Sequence, residues 1–242
     1  MHVFPIKTRI LQPPQDDLLA AIKESDLSPQ EGDCIAISSK VVSIWQGRCV
    51  HSDIVAHKDE LAKKEAELYL EREQVPNRHV LHTITNNYLI SSAGIDASNA
   101  DGYYVLWPTE LQKTAEELLR WFRDTYNIEK LYGVITDSHS VPFRRGALGC
   151  AIGWAGFDPL YDHRGVEDLF GREFVMEHTN VADSLAATAV LVMGETNEST
   201  PLVIIRGAPY LNSPMAKHSI AYEVPMEEDM YAPFFVNMPW KK

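Results

Sequence analysis

The chain has 242 residues, 45% of them hydrophobic and 23% charged, which is enough apolar material for one large core or two smaller lobes. Its formal net charge of −12 excludes nucleic acid and anionic membranes as natural partners, because both would repel it. A small anionic ligand would need local arginines, or metal ions that invert the potential.

Val3 to Ile6 predicts a short first strand, and Asp16 to Ser25 a helix with Leu18, Leu19 and Ile22 on one side. Asp33 to Ser38 predicts a strand, with Val41 to Trp45 continuing apolar until Gln46-Gly47-Arg48 turns. Asp59 to Gln74 reads as a charged helix with a thin apolar stripe, broken at Pro76-Asn77. His79 to Ile84 and Tyr88 to Ser92 read as two strands of a hairpin turning at Asn86-Asn87.

The clearest helix is Thr109 to Ile128. Leu111, Ala115, Leu118, Leu119, Phe122 and Tyr126 keep helical spacing, and Thr109-x-x-Gln112 fits a capping box. A strand follows from Leu131 to Thr136, then a helix from Ala182 to Met193 that Gly194 is placed to end, then a strand from Leu202 to Ile205. The acidic tail from Glu223 to Asp229 and the aromatic run Tyr231 to Phe235 are expected to pack on the body or on a second subunit. Helices and strands alternate without a regular βαβ count, so the expected class is α+β: mixed sheets with packed helices, compatible with two interlocked lobes.

Cys34, Cys49 and Cys150 are odd in number and form no C-x-x-C, which favours reduced thiols and a cytoplasmic setting. The segment MHVFPIKTRILQPPQDD has no apolar run of signal-peptide length, and the stretch Ala147 to Phe157 is shorter than the roughly 20 residues a membrane span needs. No P-loop, G-x-G-x-x-G, H-E-x-x-H or zinc-type spacing occurs. Gly146, Gly149, Gly153 and Gly156 read as close backbone packing in preference to a phosphate loop.

The chemistry concentrates at two strand ends. Val134-Ile135-Thr136 runs into Asp137, with Arg144-Arg145-Gly146 shortly after. Leu89 to Ile95 runs into Asp96, with Asn99 three residues on. Two carboxylates in such places, with guanidinium groups near by, suit a divalent metal beside a phosphate or carboxylate ligand. Ser138 adds a hydroxyl, and Glu195 lies in the segment Met193 to Thr200, which is rich in hydroxyl and amide groups. Taken singly, each acid also reads as a turn or capping residue. His139 reads as a solvated loop histidine, and Cys150 as a buried thiol in preference to a nucleophile.

The segments AGIDASN (93–99), GVITDSHSVPFRRGALGCAIGWAGF (133–157), DLFGREF (168–174), NVADSLAATAVLVMGE (180–195) and PLVIIRG (201–207) together resemble the coenzyme F-420-0:γ-glutamyl ligase family. The resemblance implies a single γ-glutamyl ligase domain over 1–242 with that family's α+β fold, acting as a homodimer. It implies Mg²⁺ or Mn²⁺, with two ions, and GTP or ATP as co-substrate. Asp96 and Asp137 would hold one ion; Ser138, where the family usually has Thr, and Glu195 would hold a second. Ser39, Lys40, Asn99 and the loop Met193, Gly194, Glu195, Thr196, Asn197, Glu198, Ser199 and Thr200 would contact the nucleotide. Ile44 stands where the family often carries a lysine, and Lys40 precedes it, which leaves the base open.

The implied reaction adds L-glutamate to an acceptor carboxylate through an acyl phosphate. Arg144 and Arg145 are the candidate catalytic clamps for substrate carboxylates. SKVVSIWQGR (39–48), KDELAKKEAELYL (58–70), GYYVLWP (102–108) and EEDMYAP (227–233) resemble a branch assigned to folate metabolism, so a pterin or folate acceptor is expected, with the deazaflavin F-420-0 as the alternative. A metal-dependent phosphohydrolase, using the same acids with water as acceptor, is the rival from another class. A non-catalytic nucleotide-binding or scaffold protein is a third reading.

Overall fold

The computed structural model describes residues 1–213 and 221–242. In chain order the elements are β1 (His2–Ile6), α1 (Leu18–Lys23), β2 (Cys34–Ser38), α2 (Ser39–Trp45), β3 (Cys49–His51), α3 (Lys58–Glu65), β4 (Leu68–Leu70), β5 (His82–Thr85), β6 (Tyr88–Ser91) and β7 (Tyr103–Val105). They continue with α4 (Leu111–Tyr126), β8 (Tyr132–His139), β9 (Leu148–Ala155), β10 (Leu160–Asp162), β11 (His178–Asn180), α5 (Val181–Met193), β12 (Leu202–Arg206) and α6 (Ala232–Phe235). Five strands form one mixed sheet in the order β1-β12-β2-β8-β9, in which only β2 and β8 run parallel.

Side chains alternate across this sheet with the two-residue strand period. Ile35, Ile37, Ile135, Ile152, Leu202 and Ile204 face α1, α2 and α4, meeting Leu18, Ile22, Leu118 and Phe122. Ala36, Val134, Ala151, Val203 and Ile205 face α5, meeting Leu185 and Ala189. Cover on both faces explains why these strands read as unbroken apolar runs. Each buried Leu, Ile, Val or Phe contributes about 1.5–3 kcal/mol, so packing of its stripe outweighs intrinsic propensity in holding α4.

Between α2 and α4 lies a smaller β-rich lobe. It holds α3, the pair β3–β7 and the meander β4-β5-β6 around its own core of Leu61, Ala62, Leu81, Ile95 and Leu106. The class is α+β, as the sequence led us to expect.

Several elements differ from the sequence reading. Residues 39–45 form a helix, not an extended continuation of β2. Val41, Val42, Ser43 and Ile44 are all buried, and a short helix covered all round has no polar face to reveal its period.

The helix expected over 59–74 ends at Glu65. Ala66 is extended and Leu68–Leu70 pairs with β5, so sheet pairing overrides the propensity of the charged sequence. An Arg72–Asp59 ion pair and a Lys63–Glu71 contact at 2.7 Å hold the returning chain on α3.

The Thr109 capping box does not form. Glu110 occupies the N-cap in a left-handed conformation, and the Thr109 backbone N–H donates to Gln46 Oε1 at 2.8 Å. The Asn86-Asn87 turn stands as expected, both residues at positive φ (47° and 59°), as a two-residue hairpin turn requires.

The sequence reading saw 147–157 only as an apolar stretch, whereas Leu148–Ala155 is the edge strand β9. A bulge opposite Ile135/Thr136 turns its two glycines to opposite faces. A Cβ on Gly149 would overlap the Ala186 carbonyl of α5, and one on Gly153 would lie 2.8 Å from the Leu111 carbonyl oxygen of α4. Gly149 and Gly153 are thus packing devices on the two sides of one strand, and a Cβ on Gly156 beyond it would crowd Leu119, whereas one on Gly146 would meet nothing within 4 Å and that glycine serves the turn at φ 103°. Cys34 and Cys150 are buried, Cys49 is half-buried, and all three are unpaired. No helix among the described residues is long and apolar enough to cross a membrane.

Candidate functional site

The parallel pairing of β2 with β8 ends at Ser38 and Thr136, and a cavity of about 800 Å³ opens beyond it. Carboxyl ends of parallel strands are where open sheets commonly bind ligands. Ser39, Lys40, Asp96, Asn99, Asp137, Ser138 and the whole run from Met193 to Thr200 line this cavity. The residues singled out as metal or nucleotide ligands therefore converge, though they come from four separate stretches of chain.

Asp137 occupies the inner wall. Its carboxylate accepts the indole N–H of Trp107, with the Ser39 hydroxyl and the Ser138 backbone N–H near by as further donors. Burial nevertheless pushes its pKa up to about 6, with these donors working against the rise and the charge of Asp96 adding to it. Desolvation raises Asp96 as well, though its side chain is 45% exposed, and the Lys40 ammonium, 2.7 Å from Oδ2, with two hydrogen bonds from Ser98 outweighs it and brings Asp96 below the usual carboxylate range. Two neighbouring acids are thus driven in opposite directions by their surroundings, as paired functional carboxylates commonly are.

Ser138 and Glu195 form the second pair, the Ser138 hydroxyl donating to Glu195 Oε1 at 2.8 Å. Glu195 belongs to a loop that starts where Gly194 leaves α5 at φ 79°. With ψ at 170° this is a backbone conformation that essentially only glycine adopts. Glu198 accepts the Thr196 N–H and hydroxyl, both at 2.9 Å, and the Thr200 hydroxyl donates to the Met193 carbonyl at 2.5 Å. Asn99 donates to the Thr196 carbonyl at 2.6 Å, which ties the smaller lobe to this loop across the cavity.

Among the described residues no three histidine, cysteine or acidic side chains form a closed metal cage. The donors come instead as the carboxylates of Asp96 and Asp137 and the hydrogen-bonded Ser138–Glu195 pair, all lining one cavity. That set fits a hard cation such as Mg²⁺ or Mn²⁺, which takes one or two carboxylates and completes its shell with water and phosphate oxygens.

Arg144 and Arg145 are not brought to the cavity. The β8–β9 hairpin runs on beyond Asp137, so both stand on its exposed turn, and Arg144 Nη1 reaches only the Phe143 carbonyl at 3.1 Å. Trp107, Ser98 and the segment Thr8 to Gln12 also line the cavity and were missed from sequence. Ser98 had a signal, since Asp-x-Ser favours the turn in which Asp96 Oδ1 accepts the Ser98 N–H at 2.8 Å. Trp107 and Thr8 to Gln12 had none.

A cavity lined by acids, hydroxyls and a hydrogen-bonded loop beside the carboxyl end of a parallel strand pair marks the candidate site of an enzyme, and comparison with known proteins makes the family definite. The family model described as F420-0:Gamma-glutamyl ligase matches residues 5–207. The Coenzyme F420:L-glutamate ligase of Methanopyrus kandleri is 34% identical over 224 residues, covering 86% of this chain and 87% of the relative. Its namesake in Methanothermobacter thermautotrophicus is 33% identical over 207 residues, covering 80% and 82%. That of Halorubrum lacusprofundi is 35% identical over 210 residues, covering 79% and 81%. The chain belongs to the F420-0:γ-glutamyl ligase family.

Proposed function

We propose that this chain joins the amine of L-glutamate to a carboxylate of an F420-0-type deazaflavin acceptor, using GTP or ATP and divalent metal. The convergence of Asp96, Asp137, the Ser138–Glu195 pair and the Met193 to Thr200 loop on one cavity carries the reading. Its relatives' shared name, Coenzyme F420:L-glutamate ligase, puts the deazaflavin ahead of the folate or pterin acceptor that the sequence favoured. The folate-like stretch 102–108 still reaches the cavity through Trp107, so the pterin acceptor remains the second arm of the test.

A carboxylate anion is a poor electrophile in water. In this reading one of its oxygens attacks the terminal phosphorus of the triphosphate, and the nucleoside diphosphate leaves. The glutamate nitrogen then attacks the carbonyl carbon, a C–N bond forms, the C–O bond to phosphate breaks, and the nitrogen sheds a proton. Mg²⁺ or Mn²⁺, two ions in this reading, would neutralise the phosphate charge during both events.

Asp96 and Asp137 would hold one ion, Ser138 and Glu195 the other. Asn99 and the backbone of the loop would orient the nucleotide, and Lys40 and Ser39 would lie beside its phosphates. These groups are fixed before substrate arrives by their hydrogen bonds to one another, so little reorganisation accompanies the charge movement. A homodimer and a cytoplasmic setting belong to the same reading. Phe143, Leu169 and Phe170, each 89% or more exposed, supply apolar surface for a second copy, and the unpaired cysteines suit a reducing compartment.

The test is mass spectrometry of one panel: protein, Mg²⁺ or Mn²⁺, GTP or ATP, L-glutamate, and either F420-0 or a dihydropteroate or folate acceptor. Glutamyl gain on F420-0 supports the reading, and gain on the pterin alone moves the acceptor to folate type. Phosphate release without glutamyl gain on either acceptor would put the phosphohydrolase first.

A further inference from the structure

Trp107 lies at the junction of the smaller lobe and the sheet, 4% exposed, with its ring in the core and its nitrogen at the cavity. Its indole N–H donates to Asp137 Oδ2. Two features hold the ring there. Tyr88 of β6 packs edge-on against it, centroids 5.9 Å apart at 87°. Gly94 passes so close to the indole nitrogen, at φ 70°, that any Cβ would overlap the ring. The backbone of the smaller lobe is thus shaped around one N–H directed at one carboxylate oxygen.

A core tryptophan needs a partner for its N–H, and a backbone carbonyl would serve. Here the partner is the buried acid that our functional reading makes a metal ligand. A carboxylate with one oxygen held by a fixed donor rotates less freely, and that oxygen meets a cation with one lone pair already engaged, which disfavours two-oxygen binding. We propose that Trp107 is a positioning residue that holds Asp137 as a rigid ligand biased to one oxygen, and so favours small octahedral cations such as Mg²⁺ and Mn²⁺ over the larger Ca²⁺, whose wider shell also accepts carboxylates through both oxygens. The inference rests on the metal reading of Asp96 and Asp137 and adds a selectivity role that this reading does not require. It also gives the smaller lobe a task at the site, since that lobe supplies both the indole and the glycine that accommodates it.

The experiment is calorimetric titration of the full chain with MnCl₂ and with CaCl₂, in the absence of nucleotide. The proteins are wild type, Trp107→Phe and Asp137→Asn. Trp107→Phe keeps the ring and deletes the donor. The expected result is Mn²⁺ affinity weakened about 10–100-fold, the range typical for loss of a group that orients a ligand. Ca²⁺ affinity should fall less, so the Mn²⁺/Ca²⁺ ratio narrows.

Replacing Trp107 with its benzothienylalanine isostere, sulfur for N–H, should reproduce the change if the phenylalanine variant packs poorly. Unaltered Mn²⁺ affinity in both variants, or equal loss of both cations, overturns the proposal while leaving the metal reading intact. Failure of wild type to bind Mn²⁺ any better than Asp137→Asn overturns the metal reading, and the proposal with it.

Discussion

The hydroxyl of Ser138 donates to Glu195 Oε1 at 2.8 Å, fastening the end of β8 to the loop that follows α5. Each side chain comes from a different edge of the cavity, and neither has a core role. Glu195→Gln should therefore lower the glutamylation rate by about 100-fold or more while leaving the melting temperature nearly unchanged, as expected for an exposed position. Ser138→Ala should cost about 10-fold and Ser138→Thr, which keeps the hydroxyl, should retain most activity. Steady-state rates with calorimetric melting of the same samples check both. A large fall in melting temperature for Glu195→Gln would mark the pair as structural.

Asp137 gives the metal-free protein a recognisable pH dependence. Its folded pKa of about 6 lies above the unfolded value near 4, so the folded state binds more protons in between. Stability from this group is fully present below the unfolded value and is lost as pH rises through about 6. Asp96 acts in the opposite sense, its depressed pKa giving stability that is complete above the unfolded value and lost only in more acidic solution. The window from about pH 4 to 6 therefore belongs to Asp137. Chemical denaturation of wild type minus Asp137→Asn, with chelator present, should show a difference that declines across that window. Added Mn²⁺ should stabilise wild type more at pH 7.5 than at pH 5, because the ion competes with the proton. A flat difference curve would count against the burial of this acid.

Gly149 fits β9 against α5, the helix that carries the Met193 to Thr200 loop. Gly149→Ala would drive a Cβ into the Ala186 carbonyl and to 2.8 Å from Val190 Cγ2, at an expected cost of about 1–3 kcal/mol. Gly133→Ala, on the neighbouring strand, meets nothing nearer than 3.8 Å and should be almost neutral. Thermal melts of the pair distinguish crowding from loss of glycine as such. Activity should fall only in Gly149→Ala, because moving α5 displaces Glu195.

Gly149 and Gly153 also show how far the sequence could be read. Their spacing was legible as close packing, because glycine in a strand has few other uses. The strand that carries them was not, since β9 lacks alternation: its bulge and its cover on two faces erase the period. Asp96, Asp137, Ser138, Glu195 and Asn99 were legible as polar groups interrupting apolar runs or carried by the family resemblance, and the cavity gathers all five. Arg144 and Arg145 were attractive for the same sequence closeness to Asp137, but β8 and β9 continue as a hairpin past Asp137 and set the turn that carries both arginines outside the cavity lining. Trp107 was illegible for the opposite reason. An aromatic beside Val105 and Leu106 looks like core, and only the fold reveals that its nitrogen meets Asp137.

Arg206 and Asp33 supply a test of stability separate from the site. Asp33 is fully buried at the start of β2, and Arg206 closes β12 beside it, donating through Nε at 2.9 Å and Nη2 at 2.8 Å. Asp33 also accepts the Gln30 backbone N–H at 2.7 Å, and the Arg206 guanidinium stacks over Phe4, 5.2 Å from its centroid. The pair lies at the end of β2 opposite Ser38 and the cavity, so its loss should leave substrate KM values unchanged. Arg206→Met would strand a buried carboxylate, which costs about 3–5 kcal/mol. For a chain of this size that is a fall of roughly 6–20 °C in melting temperature. The double variant Asp33→Asn/Arg206→Met removes the stranded charge and should recover a substantial part of the fall. Recovery would assign the damage to the unpaired charge, whereas a double variant no more stable than the single would assign it to the lost forked hydrogen bonds and the packing on Phe4.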